Sequence, residues 1–174
     1  MFNIVRYQLS SPTVNVWEDI TQADVSAVDK LIKMVGRERH RVKAFVRFEH
    51  TEQDVYFARI EPDFNVLPLI ESHFKERYAD QNWAIYDVKR GYGLFYDKQS
   101  ETVQMIVDVD EQALSNLESE YSENEKAYQK LWQKYFVKVT IKERINRKLH
   151  IQYLPKRYWK YLIEKQQTQV RIQR

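Results

Sequence analysis

The chain has no cysteine, only three glycines and four prolines among 174 residues, and no apolar run near the ~20 residues of a membrane span. Without cysteine there are no disulfides, thiolate zinc sites, iron–sulfur clusters or cysteine nucleophiles. So few glycines and prolines leave no flexible linker and no low-complexity segment, and no internal repeat is found. Met1 to Ser11 lacks the apolar core of a signal peptide, so a cytoplasmic location is expected. Phosphate-loop spacing is missing, and Gly91-Tyr-Gly93 lacks the third glycine of a dinucleotide fingerprint, which leaves it as a hairpin turn. The histidines at 40, 50, 73 and 150 are scattered, and no serine stands in a nucleophile-elbow context. The expectation is therefore no metal and no cofactor.

Aromatic side chains and segregated charge are abundant. Aromatics make up 14% of the chain, with twelve Tyr and four Trp. The length suits one domain that buries roughly two-thirds of its unfolded surface. Asp108, Asp110, Glu111, Glu118, Glu120, Glu123 and Glu125 form an acidic block, whereas Lys134 to Arg174 holds twelve basic residues against Glu143 and Glu164. The formal charge of +3 thus conceals a strongly basic tail. A second basic cluster, Arg37, Arg39, His40, Arg41, Lys43 and Arg47, is opposed only by Glu38. Phosphate is the natural counter-charge, because clustered cations release condensed counterions from a polyanion.

Periodicity gives helices at both ends of a sheet. Val25, Val28, Leu31, Ile32 and Val35 recur at helical steps after a cap at Thr21 or Asp24. Lys43 to Glu49 and Val55 to Ile60 read as strands joined by a hairpin, with Ala44, Val46 and Phe48 sharing a face. A helix capped by Asp63 or Asn65 follows, with Leu67, Ile70, Phe74 and Tyr78 as its buried stripe and Pro68 in its first turn. Trp83 to Arg90, Leu94 to Asp97 and Thr102 to Val107 form a three-stranded meander. The longest helix is expected from near Asp110, with Tyr121, Tyr128, Leu131 and Tyr135 on its apolar stripe. Val137 to Ile141 and Ile151 to Leu154 alternate as strands or extended segments, and Pro155 opens a last helix through Tyr161, with fraying beyond Glu164. This order predicts an α+β fold: an antiparallel sheet of about five strands with helices mainly on one face.

Two constellations carry the candidate chemistry. Arg37, Arg39, His40, Arg41 and Lys43 suit phosphate, since the guanidinium fork donates two parallel hydrogen bonds; the bland alternative is a solvated helix end. In Tyr153 to Tyr161, Lys156, Arg157 and Lys160 alternate with rings, and Trp159 is a candidate for stacking on unpaired bases, while Tyr158 fits a core position better. Lys89 and Arg90, at a strand end, extend the same surface. Glu61, Asp63 and Asp87 also fall at strand ends, where they serve either as an acid–base set or as caps and loop tethers.

The runs GRERHRVKAFVRF (36–48), ARIEPDFNVLPLIESHF (58–74), DQNWAIYDVKRGYGLFYD (80–97), ERINRKLHIQ (143–152) and LPKRYWKYL (154–162) resemble the uncharacterised probable DNA metabolism family. The resemblance covers about Val28 to Leu162. It implies association, sometimes by fusion, with uracil-DNA glycosylase domains and with radical-SAM proteins proposed to modify or repair DNA. It also implies that segment 1–27 is shortened or divergent; the element pattern gives a single α+β domain 28–165 and a frayed tail 166–174. The chain has neither the cysteine triad of a radical-SAM enzyme nor a glycosylase motif. The leading expectation is a DNA-binding accessory module. The alternatives are a DNA- or nucleotide-directed enzyme and an adaptor for a uracil-DNA glycosylase or radical-SAM partner.

Overall fold

A computed structural model describes residues 2–11, 15–107, 109 and 121–165. Helix α1 (Phe2–Ser10) leads through a 3-10 turn (Val16–Glu18) to the long helix α2 (Ala23–Phe45). Ile4, Val16 and Val25 pack together, fastening the amino-terminal segment to the start of α2. Strands β1 (Glu49–His50) and β2 (Tyr56–Ile60), helix α3 (Leu67–Arg77) and strands β3 (Trp83–Asp87), β4 (Tyr92–Asp97) and β5 (Thr102–Val107) follow. Beyond them come α4 (Glu123–Val139), a 3-10 turn (Lys142–Arg144), α5 (Arg147–Tyr153) and a last 3-10 helix (Lys156–Tyr161). No described helix is long and apolar enough to cross a membrane.

The architecture is α+β with a five-stranded sheet in the order β1-β2-β3-β4-β5. The sheet is mostly antiparallel, but β2 and β3 run parallel, with Ile60 opposite Asp87 at their carboxyl ends. Parallel neighbours need a crossover, and α3 supplies it, burying Leu67, Ile70 and Phe74 in the core. Ala58, Ile60, Trp83, Ile85, Leu94 and Tyr96 form one sheet face against α2, α3 and the carboxyl-terminal segment. Phe57, Ala84 and Tyr86 form a smaller cluster on the other face, with Phe95, Ile106 and Val109. Every residue of β3 is buried as a result. Gly93 lies against this central strand; a Cβ there would stand 2.7 Å from the Ile85 carbonyl oxygen.

Several elements depart from expectation. The expected strand 43–49 is helical through Phe45, because Val35, Glu38, Val42 and Phe45 continue one inward stripe at three- and four-residue steps; only Glu49 and His50 pair with β2. Gln22, rather than Thr21 or Asp24, precedes the first turn of α2, and Asp24 sits inside that turn, where its charge meets the positive helix end. Leu31 and Ile32 are 52% and 61% exposed, so the apolar face of α2 is only partly covered. Val66 is the cap position of α3, because Asn65 takes the Tyr92 hydroxyl and Asp63 takes Arg157. The expected helix start near Asp110 lies outside the described residues, as do most of the acidic block and the tail beyond Lys165. Tyr128, Leu131 and Tyr135 of α4 are exposed rather than buried, whereas Tyr121, expected on the same helical stripe, precedes α4, is buried and forms a β-bridge with Thr51. Segment 137–141 is helical to Val139, and 151–153 belongs to α5, with Leu154 as its carboxyl-terminal cap and its start fixed by Asn146 accepting from the Leu149 amide at 3.0 Å.

Candidate nucleic-acid interface

Where β2 and β3 end side by side, the chain turns out through Glu61-Pro-Asp63 and through Val88 to Gly91. The carboxyl edge of parallel strands is the usual place for a ligand crevice in an open sheet. Here it faces the 3-10 helix Lys156–Tyr161 across a cleft of about 260 Å³ lined by Glu61, Asp63, Lys89, Lys156, Arg157 and Lys160. Folding thus gathers predicted residues from three distant stretches of the chain.

Two buried carboxylates hold this edge together. Asp87, with no exposed surface, accepts from the Lys89 and Arg90 amides at 3.0 and 3.2 Å and pairs with Arg90 Nη1 at 2.7 Å. Arg90 in turn donates to the Pro62 and Asp63 carbonyls at 3.0 and 2.7 Å, lacing the two strand ends together. Glu38, from α2, accepts from Arg157 and from the Tyr158 hydroxyl, both at 2.8 Å, and from the Phe64 amide at 2.9 Å. Burial pushes the Glu38 carboxyl upward, but the Phe64 amide, the Tyr158 hydroxyl, the Asp63 amide and the Arg157 guanidinium outweigh it and hold it below the ordinary value. Burial, reinforced by the bond to Glu38, drives Tyr158 up to about 12. Arg157 also meets Asp63 at 2.9 Å, Lys160 pairs with Glu61, and the Tyr161 hydroxyl donates to Glu61 at 3.1 Å.

The cleft is consequently close to charge-compensated. Lys89, Arg90, Lys156, Arg157 and Lys160 face Glu38, Glu61, Asp63 and Asp87. Glu61 and Asp63 line the cleft, whereas Asp87 sits behind it with Arg90. Among the described residues, positive charge without an ion pair remains at Lys156 of the cleft wall and at Arg37 of α2, both exposed, as is His40. Arg144, Arg147 and Lys148 of the adjoining segment are exposed too.

The two predicted basic clusters meet, but not completely. Arg41 donates to the Gln152 carbonyl at 3.2 Å, and Glu38 reaches Arg157, so one side of α2 lies against the carboxyl-terminal segment. Arg37 and Arg41, one helical turn apart, belong to that side. Arg39 and Lys43 fall on the other flank of the buried Glu38–Val42 line. Arg39 borders an apolar groove with Leu31, Ile32 and Leu69, and Lys43 lies near His73, whose imidazole is held low by burial and then by Lys43 and Arg77. The Trp159 indole N–H donates to the Leu154 carbonyl at 3.0 Å, and its half-buried ring packs on the core beside His150. Sequence reasoning passed over Glu38, although a single acid on the inward stripe of a basic helix segment was its signal. It also passed over Tyr161 and over the pairing of Arg47 with buried Glu164 at 3.0 Å.

No curated protein and no solved structure matches the chain. A family described as a domain of unknown function, DUF4130, matches residues 1–164, nearly the whole length, and the chain belongs to it.

Proposed function

We propose that this protein is a nucleic-acid-binding module of a DNA repair or modification system. The observation that carries the proposal is the junction of the two basic segments: the Arg41–Gln152 and Glu38–Arg157 contacts bring the α2 helix that bears Arg37 and Arg41 against the segment that bears exposed Arg147, Lys148 and Lys156. Such a surface neutralises successive phosphates, while the compensated cleft fixes the geometry of the cations. The resemblance of the runs quoted above supports DNA as the polymer, and a uracil-DNA glycosylase or a radical-SAM protein as the enzyme served. The test is fluorescence anisotropy with a labelled single-stranded oligonucleotide. Four phosphate contacts predict an affinity loss of roughly fifty-fold between ~50 and ~200 mM salt. Binding no tighter than that of a neutral control protein at low salt ends the proposal.

A second reading, an enzyme acting on DNA or a nucleotide, draws on Glu61 and Asp63 lining the same cleft as Lys89, Lys156 and Lys160. Assays on intact and damaged oligonucleotides with Glu61→Gln and Asp87→Asn decide it: activity unchanged in both variants removes the acid–base assignment. An adaptor role draws on the exposed Tyr128, Leu131 and Tyr135 of α4. Tight DNA binding without co-purification of either partner counts against it.

A further inference from the structure

At the opposite, amino-terminal ends of β2 and β3 lies a second cavity, of about 310 Å³. Its walls are mainly aromatic. Tyr56 and Trp83, register partners that open the two parallel strands, meet Phe48 from the α2–β1 connection and Tyr78 from the end of α3, and Arg47 and Gln81 supply the polar lining. Trp83 and Tyr56 are braced from outside, stacking on Tyr96 at 5.5 Å and on His50 at 4.6 Å, and Phe48 meets Tyr78 edge-on at 5.4 Å within the wall.

The hydrogen-bond account of this cavity does not close. Among the described residues only three buried side-chain nitrogens or oxygens lack a partner, and two of them, the Trp83 indole N–H and the Arg47 Nε–H, belong to residues that line it. Both terminal nitrogens of Arg47 are engaged, on Glu164 and on the Ala44 and Val46 carbonyls. Trp83 is only 1% exposed, and no protein acceptor meets its N–H. Buried donors without acceptors are rare in folded proteins and are a recognised mark of a site completed by something else. What would complete this one is an acceptor on a flat, apolar frame.

We propose that the cavity receives a nucleobase. A flat heterocycle stacks on the aromatic walls, its carbonyl oxygens or ring nitrogens accept from Trp83 and Arg47, and the Gln81 amide can both donate and accept along the same edge. No carboxylate is among the lining residues, so a neutral ring is preferred to a cationic one. Both N–H groups are closed to solvent, so the ring enters as the half-buried Tyr56 and Tyr78 side chains swing aside. The inference deepens the nucleic-acid reading: a base drawn from its stack would sit here while the sugar–phosphate chain follows the basic surface. A free nucleoside offers the same chemistry.

The test uses the full chain, labelled with nitrogen-15. Its four tryptophans give four indole N–H resonances, and that of Trp83 is identified by its proximity to the Tyr96 ring. Adenosine, guanosine, cytidine and thymidine are titrated separately, beside a mixed-sequence single strand and the same chain made entirely of abasic sites. The Trp83 resonance is expected to move saturably with at least one nucleoside and with the base-bearing strand, but not with the abasic strand. Tyr78→Ala is expected to weaken nucleoside binding roughly tenfold, the loss of one stacking ring. Trp83 unmoved by every nucleoside and by a strand that binds tightly overturns the cavity assignment and leaves the electrostatic reading standing. A Trp83 response to nucleosides with no binding of any strand sinks the nucleic-acid reading and keeps the cavity as a site for free bases.

Discussion

Replacing Glu38 by glutamine preserves the shape of the side chain and removes its charge, which isolates the hub beneath the cleft. In the native protein Oε1 accepts from Arg157 and Tyr158 and Oε2 accepts from the Phe64 amide. Glutamine has one acceptor oxygen, so if it serves Arg157 and Tyr158, its NH2 confronts the Phe64 N–H and leaves that amide unmet, at a cost of about 1–3 kcal/mol. The two remaining bonds fall from charge-assisted to weaker, about 1 kcal/mol for Tyr158 and less for Arg157, because the latter is 38% exposed and screened by solvent. The expected loss is about 3 kcal/mol, or roughly 6–12 °C in Tm for a chain of this size. Urea unfolding followed by tryptophan fluorescence measures it, with the slope unchanged. A double-mutant cycle with Tyr158→Phe should return a coupling of about 1 kcal/mol. If Glu38→Gln unfolds within about 0.5 kcal/mol of wild type, the hub does not organise this edge and the reasoning fails.

Acid should have the same effect as that substitution. Because the Glu38 carboxyl is held low in the folded protein, its contribution is present above its unfolded value of 4.5 and is lost as pH falls below that through the folded value. Urea midpoints measured downward from pH 6 should decline more steeply in wild type than in Glu38→Gln; parallel curves would contradict the assignment. Gly93→Ala should destabilise the sheet by about 1–3 kcal/mol, since the new methyl would meet the Ile85 carbonyl at 2.7 Å and the Tyr86 Cα at 3.2 Å, neither on a flexible tip. A thermal melt unaltered by that change would refute the packing described. On α2, Arg37→Glu with Arg41→Glu should weaken oligonucleotide binding more than Arg39→Glu with Lys43→Glu, the other flank. Equal losses in anisotropy titrations would deny the split.

Much of the framework was legible because local pattern and tertiary burial agree. Leu67, Ile70 and Phe74 repeat at helical spacing and are buried, and Trp83 to Val107 reads as a meander and is one. The parallel pairing of β2 and β3 was missed although the connection 61–82, with a helix inside it, has the length of a crossover and not of a hairpin. Val42 to Phe48 misled because a run alternating at Ala44, Val46 and Phe48 also satisfies helical spacing at Val42 and Phe45; only the position of the sheet decides between them. At the site, Glu61, Asp63, Lys89, Lys156, Arg157 and Lys160 were each visible as strand-end or helix-start residues, and folding places them around one cleft. Glu38 was hidden by being counted as one charge against many, when its meaning lay in its depth. The aromatic cavity had no linear signature, because Phe48, Tyr56, Tyr78 and Trp83 come from four elements.

The central claim is that segments more than a hundred residues apart form one electropositive surface for a single polyanion. Arg37 and Lys156 immediately precede Glu38 and Arg157, the two members of the ion pair that joins the segments, and are free of ion pairs among the described residues. The salt dependence of single-strand affinity, measured for wild type, Arg37→Glu, Lys156→Glu and the double variant, tests the claim most directly. Each single change should lower the slope of log affinity against log salt by roughly 0.7 and the double by about twice that. A slope that neither single change moves, or that one moves and the other leaves untouched, would contradict it.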